Sequence, residues 1–449
     1  MHVLIAGAGP VGLTAALALA RRGCEVTVLE AGEQLAAESR ASTFHPPTLE
    51  MLDALGVGPD LLARGLVAPT FAYRDRREGL IAELDLTVLA GDTPYPYRVQ
   101  CEQSKLTQIL LAHLARQPTA RVHFGWPVNS VRQAADSAAK DGVVTGDGVI
   151  ADDGVVTDNG VVTGDGVVTD GVVAVADDGR EVAGDWLIAA DGASSAVRRA
   201  LGLPFDGITY PERFLVASTD EDLPALLGPL AYVNYVFDPV EWSVLLRTPD
   251  HWRVLLPTPE DTPDAHELGR LDERLRAIAD PGRPWRVAHA SLYRVHQRVA
   301  GAFRRGRVLL AGDAAHVNNP LGGLGMNSGI HDAVAYAEVL ASGRTAPNGE
   351  KRDRAPDGGE LDRTVAGGEL DRVVTAVADE RRRIALTYVQ EVSDQNYRRI
   401  RTTDPQQRSA HLADLRTLTE NPAAARTYLL RSSMIASLRP EAGAPVARA

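Results

Sequence analysis

A short apolar run followed by three glycines at fixed spacing constrains this chain more than any other feature. Val3-Leu4-Ile5-Ala6 is continuous and apolar, as a parallel strand buried on both faces requires, and Gly7-Ala8-Gly9-Pro10-Val11-Gly12 follows at once. Here Gly7 makes the tight turn, Gly9 lets backbone amides approach a pyrophosphate, and Gly12 lets the next helix pack closely on the strand. That helix is predicted over Pro10 to Arg22, is rich in Ala and Leu, and stops at Gly23, a good C-cap residue. Its N-terminus, around Val11, offers free amides and a positive dipole end to phosphate. A second strand, Glu25 to Glu30, ends in an acid about 20 residues beyond the glycine turn, where a carboxylate accepts the hydroxyls of an adenosine ribose. A carboxylate there repels a 2′-phosphate, so the adenosine of NADPH is not expected at this place. A signal peptide is a poor reading of the same stretch, because the basic pair Arg21-Arg22 follows the apolar run and glycines interrupt it.

Two more segments repeat the pattern of an apolar strand ending in a tight turn. Asp191-Gly192 follows Trp186-Leu-Ile-Ala-Ala190, and Gly312-Asp313 follows Val308-Leu-Leu-Ala311. A lone glycine motif occurs often by chance; three such segments in this order point to one dinucleotide and, read together, to a flavin enzyme. The 449 residues predict two or three domains. With 47 Lys plus Arg against 59 Asp plus Glu, the net charge is −12, which disfavours nucleic acid and anionic membranes as partners. The only cysteines, Cys24 and Cys101, form neither a disulfide framework nor a zinc site and read as buried residues of a cytoplasmic protein. No stretch is long and apolar enough for a transmembrane helix, and no metal site is expected.

Between the motifs, helices are predicted from Thr48 to Leu55 and from Ser104 to Arg116, and a strand at Val122. Residues 66–98 look strand-rich. Residues 205–298, with Trp242, Trp252 and Trp285, read as an antiparallel sheet. From 141 to 171 glycine recurs every six residues in Gly-Val-Val-Thr units beside Asp. The run is too short for a β-helix and has no aromatic residue or leucine to fill an interior, and its aspartates match no EF-hand loop; an expanded hairpin or mobile loop fits better. A second low-complexity patch at 343–372 reads as a solvated linker, with helices from Val373 onward and a disordered tail from Pro440.

The third motif is the most specific. Gly306-Arg-Val-Leu-Leu-Ala-Gly312-Asp313-Ala-Ala-His316, then Pro320-Leu-Gly-Gly323-Leu-Gly325-Met326-Asn327, then Asp332, is similar over nearly its whole length to the second FAD motif of the single-component FAD-dependent aromatic hydroxylases, the para-hydroxybenzoate hydroxylase type. Asp191-Gly192-Ala-Ser-Ser195-Ala-Val-Arg198 resembles that family's Asp-Gly motif, and Arg40 and Gln103 fall where it has an arginine and a glutamine. The resemblance covers most of residues 1–396. The two low-complexity insertions depart from it, and the thioredoxin-like C-terminal domain that some members carry is not expected here.

This resemblance implies an α/β fold: a Rossmann-like FAD-binding domain assembled from residues 1–70, 98–203 and 300–400, a second domain on a mixed or antiparallel sheet from 71–97 and 204–299, and a C-terminal helical segment over 401–449. It also implies FAD held non-covalently. Asp313 would accept hydrogen bonds from ribityl hydroxyls, glycines between Pro320 and Gly325 would let backbone pack on the ring, and the helix near Gly325 would aim its N-terminus at the pyrimidine side. Arg40 would recognise phosphate, and Asp191 would link FAD binding to the path of NAD(P)H. The implied reaction uses NAD(P)H and O2 to hydroxylate an electron-rich aromatic ring. No catalytic base is assigned. Asp191 read alone would cap a turn, Arg198 would pair with a helix carboxylate, and His316 reads as a packed histidine. His45, Tyr210, Tyr235 and His296 are candidates to line a pocket. The rival readings are a halogenase, disfavoured by the lack of a Trp-x-Trp-x-Ile-Pro segment; a reductase of the same superfamily; an NAD-dependent dehydrogenase, disfavoured by the second and third motifs; and a flavin-binding protein without turnover. A homodimer stays open.

Overall fold

The computed structural model describes residues 1–37, 41–133, 171–343 and 363–439. Its centre is a six-stranded sheet in the spatial order Arg304–Arg305, Val308–Leu310, Trp186–Ala189, His2–Ala6, Glu25–Leu29, Ala120–His123. Five of these strands run parallel, and the Arg304–Arg305 edge is antiparallel. The apolar runs Val3–Ala6, Trp186–Ala189 and Val308–Leu310 are buried throughout, because both faces of this sheet are covered. The helices Pro10–Arg21 and Leu324–Ser342 pack on one another and belong to the core cluster that contains these strands. Toward the other face lies an antiparallel meander of Val128–Gln133, Val172–Ala176 and Glu181–Gly184. Neighbouring strand residues take opposite sides: Ile5 lies against Gly12 of the first helix and Leu4 against Gly184 of the meander.

A second, eight-stranded sheet runs in the order His316–Val317, Val287–Ala300, Phe205–Thr219, Trp252–Pro259, Ser243–Arg247, Val233–Phe237, Thr70–Asp75, Gly79–Asp85. All its pairs are antiparallel except Val233–Phe237 with Thr70–Asp75. Period-two alternation divides its side chains between two cores. Leu215, Leu245, Trp252 and Val254 pack with Leu271 and Leu275 of the helix Leu271–Ile278. Tyr73, Tyr210, Phe214, Tyr235 and Trp242 pack instead with Leu321 and with Leu412, Leu415, Leu429 and Leu430.

The last four of those leucines lie on the helices Pro405–Glu420 and Pro422–Ser432, which cover this face of the sheet. Tyr428 Oη meets Tyr73 Oη at 2.5 Å, and Arg408, Arg426 and Arg439 pair with Asp75, Asp92 and Glu50. A third, small sheet joins Thr43–Phe44, Arg98–Gln100 and Leu66–Ala68.

Some boundaries differ from expectation. The helix expected from Thr48 begins at Pro46, because proline suits a first helical turn, and the one expected from Ser104 begins at Gln103. The stretch read as a linker to 372 is helical from Arg363, in a helix that runs to Ile384. Leu370 there is partly buried against the main core, and that contact overrides the low-complexity composition. The glycine–valine repeat and the tail from 440 lie outside the described residues. The strands flanking the repeat are direct partners, with Gln133 opposite Val172.

Candidate active site

The ladder brings the three separated motifs together. Ala6 pairs with Ala189 and Ala189 with Leu310, so the turns at Gly7, Asp191 and Gly312 emerge from neighbouring strands at one end of the sheet. Gly7 has φ +100°, and a Cβ on it would lie 2.5 Å from the Ala190 carbonyl oxygen. A Cβ on Gly12 would lie 2.0 Å from the Gly7 oxygen, so the helix sits directly against the turn. Gly9 is different: a Cβ there meets nothing within 4 Å. Gly9 is the N-cap of Pro10–Arg21, and no side chain caps that helix, which leaves its first amides for a ligand. The Glu30 carboxylate reaches back to the same turn, with Oε2 accepting from the Ala8 amide at 2.6 Å and Oε1 from the Gly32 amide at 2.9 Å.

Asp191 is largely buried, and burial pushes its carboxyl above the usual range. Its Oδ2 accepts from the Val197 amide at 3.1 Å, whereas the buried Oδ1 has no partner. Arg198 makes carbonyl contacts in place of the expected carboxylate. It donates to Ala314 and Ala193 at 2.8 Å each and lies over the Phe205 ring, tying the second motif to the third. In the third motif Gly312 has φ +58°, which favours glycine, and its amide donates to Asp332 Oδ2 at 3.1 Å. Asp332 is fully buried and also binds His316 Nε2 at 2.9 Å and Arg381 Nε at 2.6 Å. Burial raises its carboxyl, but Arg381 and His316 more than offset that and hold it below the ordinary value. His316 is therefore a packed, hydrogen-bonded residue. Asp313, one residue past this anchored turn, is exposed.

The Val11 side chain fills the contact between the first helix and the third motif, since Cβ atoms on Gly312 and Gly329 would lie 2.8 and 2.6 Å from its Cγ2. Only its backbone amide remains for a phosphate. Beyond Pro320, Gly322 (φ +102°) and Gly323 (φ +68°) turn the chain into the helix Leu324–Ser342, whose start also has no side-chain cap. Gly325 sits in its first turn and Met326 is buried. Asn327 is fully buried as well, and its side chain is consumed: Oδ1 accepts from the His45 amide at 3.0 Å, and Nδ2 donates to the Thr43 and Gly323 carbonyls at 2.8 and 2.6 Å. It holds the loop and leaves no side-chain donor for a ligand. Gln103 stands at the start of its helix, with its amide bonded to Ala41 at 3.0 Å. Arg40 lies outside the described residues.

His45, Tyr235 and Arg98 gather beside Gly322. The His45 ring donates from Nε2 to the Gly322 carbonyl at 2.7 Å, and burial, with Arg98 adding to it, holds its pKa well below the ordinary value. Tyr210 donates to Gln297 Oε1 at 2.5 Å and accepts from Asn319 Nδ2 at 3.1 Å. His296 lies farther along the sheet, bonded to Thr209 at 2.9 Å. The sequence reading missed Arg98 and Arg381; Arg98 lies in the strand Arg98–Gln100, which is buried throughout in the fold although its residues alternate polar and apolar in the sequence. Among the described residues no group of three or more His, Cys, Asp or Glu is arranged to hold a metal. No helix among them is long and apolar enough to cross a membrane.

The residues present fit a flavin dinucleotide: an open glycine at an uncapped helix start, a carboxylate at the end of the second strand, an exposed acid on the third turn, and a second uncapped helix start behind a glycine loop. Comparison with known proteins agrees. The family described as an FAD binding domain matches residues 1–151 and 157–350. The chain is 36% identical over 346 residues to para-nitrophenol 4-monooxygenase of Pseudomonas sp. strain WBC-3, covering 75% of this chain and 77% of that protein. It is 37% identical over 342 residues to 6-hydroxy-3-succinoylpyridine 3-monooxygenase HspB of Pseudomonas putida strain DSM 28022 / S16, covering 76% and 79%. The crystal structure of p-nitrophenol 4-monooxygenase PnpA from Pseudomonas putida DLL-E4 superposes with a TM-score of 0.80 at 30% identity, over 99% of this chain and 98% of that one. With the cofactor cradle, the family match and these relatives in agreement, the chain belongs to the FAD-dependent aromatic monooxygenases.

Proposed function

We propose that this protein uses NAD(P)H and O2 to hydroxylate a phenol-like ring that carries a polar substituent, with FAD held non-covalently. The observation that carries the reading is the convergence of Gly7, Asp191 and Gly312 at one end of the parallel sheet, beside the Gly322–Gly323 loop and the aromatic face of the second sheet. The names of the two relatives, one acting on a nitrophenol and one on a hydroxypyridine, favour such a ring.

In this reading the amides after Gly9 hold the pyrophosphate, Glu30 the adenosine ribose and Asp313 the ribityl chain, while Arg40 and Gln103 lie toward the phosphates. Backbone from Pro320 to Gly325 packs on the ring system, and the uncapped start of Leu324–Ser342 stabilises negative charge on its pyrimidine side. When bound, FAD supplies the redox chemistry, taking electrons from NAD(P)H and passing one oxygen atom of O2 to the substrate. The chain's own part is to hold and orient the substrate and to exclude water. The aromatic face, roofed by the C-terminal helices, serves the last of these, and Asp191 sits where its unpartnered Oδ1 meets the cofactor's surroundings. The buried, unpaired Cys24 and Cys101 suit a reducing, cytoplasmic setting.

The test is isotopic. FAD-loaded protein, NAD(P)H, labelled O2 and a panel of phenols should give substrate-stimulated NAD(P)H oxidation and one labelled atom in the product. Label arriving from water, or product formed equally well without oxygen, refutes monooxygenation.

A further inference from the structure

Arg98 is a buried cation without a counter-charge. It is 2% exposed, and no carboxylate among the described residues forms an ion pair with it. Its Nε has no partner, one Nη reaches the Ser432 carbonyl at 3.4 Å, and the guanidinium lies 4.1 Å over the Phe71 ring. A ring face, a long carbonyl contact and a polar contact with the neutral Tyr235 phenol offset only part of the cost of taking a guanidinium out of water, and none of them carries a negative charge. Its neighbours bring no negative charge. Tyr235 is buried and its phenol pushed upward by that burial, with Arg98 opposing, and His45 is a neutral base held by Gly322.

Gln100, two residues along the same strand and so on the same side as Arg98, is also fully buried. Its Oε1 accepts from Thr43 Oγ1 at 2.9 Å and its Nε2 has no partner. Thr43 packs against Gly323, and His45 binds Gly322. Two orphaned donors therefore lie on the side of the strand that adjoins the glycine loop.

We propose that Arg98, assisted by Gln100, determines substrate specificity by binding a ring-borne oxygen that carries negative charge. The inference rests on the aromatic-substrate reading above and deepens it: the protein takes the ionised form of a phenol and discriminates against neutral ethers of the same ring. A guanidinium in a dry site binds an anionic oxygen far better than a neutral one, because only the anion restores the charge balance that burial denies it.

The probe is 4-nitrophenol with its methyl ether, 4-nitroanisole, titrated into FAD-loaded protein and followed by difference absorbance. Ionised nitrophenol absorbs in the visible and the neutral form does not. Wild-type protein should hold the phenol ionised below its solution pKa and bind it well ahead of the ether. This arm needs no variant. Arg98→Gln should weaken nitrophenolate binding about 10- to 150-fold and erase the preference over the ether. Arg98→Lys, which keeps charge but not the planar fork, should retain part of both. Three results overturn the proposal: wild type binding the phenol in its neutral form, wild type binding no phenolate, or Arg98→Gln with unchanged FAD content and an unchanged phenol-to-ether ratio. Failure of the monooxygenase reading looks different, as intact phenolate binding with no substrate-stimulated NAD(P)H oxidation.

Discussion

Gly9 and Gly12 belong to one motif, yet the structure assigns them different work, and alanine at each should separate packing from ligand approach. A Cβ on Gly12 would lie 2.0 Å from the Gly7 carbonyl oxygen, against the 3.0 Å below which real Cβ atoms essentially never fall. The obstacle is backbone, and Gly7 is itself wedged against Ala190, so the first helix must lift from the strand. Overpacking of this kind costs about 1–3 kcal/mol, and at about 2–4 °C per kcal/mol the apoprotein melting temperature should fall by roughly 2–12 °C. At Gly9 a Cβ meets nothing within 4 Å, and φ −71° with ψ 179° is ordinary backbone for alanine. The weaker N-cap costs roughly 0.5–1 kcal/mol, and the stiffer unfolded chain returns about 0.4–1 kcal/mol, so apoprotein Tm should hardly move. The added methyl nevertheless stands where backbone must meet the pyrophosphate. FAD affinity should drop at least about ten-fold, or about 1.4 kcal/mol. Thermal melts of the apoproteins and FAD titrations by flavin fluorescence read both effects. A Gly9→Ala protein that binds FAD like wild type, or melts as low as Gly12→Ala, refutes the assignment.

Three further outcomes are expected. Glu30→Ala and Asp313→Ala should each weaken FAD binding roughly 10- to 150-fold; Glu30→Ala should also lower apoprotein Tm, because Glu30 holds two backbone amides. Unchanged FAD affinity in both would place the dinucleotide elsewhere. Replacing residues 142–169 by Asn-Gly should leave FAD binding and Tm nearly unchanged, since Gln133 and Val172 are already partners and long loops add little entropy; a large loss of either would show that the repeat packs on the fold. Burial, with Arg381 adding to it, lowers the pKa of His331 from 6.5 to about 3. The unfolded chain then takes up a proton that the fold refuses. Stability from this group is full above its ordinary pKa and is lost as pH falls, by up to about 1.4 kcal/mol per unit. Denaturant melts at neutral and mildly acid pH should show that slope, and His331→Gln should flatten it; an unchanged slope would mean that His331 is not held neutral.

The parallel sheet was readable because its strands are buried on both faces and write themselves as unbroken apolar runs, at Val3–Ala6, Trp186–Ala189 and Val308–Leu310. Their turns were readable for a related reason: a glycine beyond such a run marks backbone that a side chain would block, and Gly7 and Gly312 both have positive φ. What sequence concealed is how local residues divide their labour. Val11 and Asn327 sit inside the motifs and look like cofactor contacts, yet Val11 spends its side chain on Gly312 and Gly329, and Asn327 spends its own on Thr43, Gly323 and His45.

The residues that were missed all depend on distant partners. Asp332 belongs to the third motif, but the group that keeps it ionised while buried is Arg381, 49 positions on and past a low-complexity stretch whose composition masks the helix leading to it. Without that arginine the carboxyl that receives the Gly312 amide would be a buried, unbalanced charge, so the turn presenting Asp313 is set by a helix no motif names. Arg98 is the converse case. Its immediate neighbours, Val99 and Gln100, give a strand with an ordinary polar–apolar alternation, and only the folded chain shows that the polar side faces Phe71, Tyr235 and the Gly322 loop instead of water. A charge that satisfies a local pattern and violates the global one is the expected mark of a binding residue, because nothing in the packing alone repays its burial.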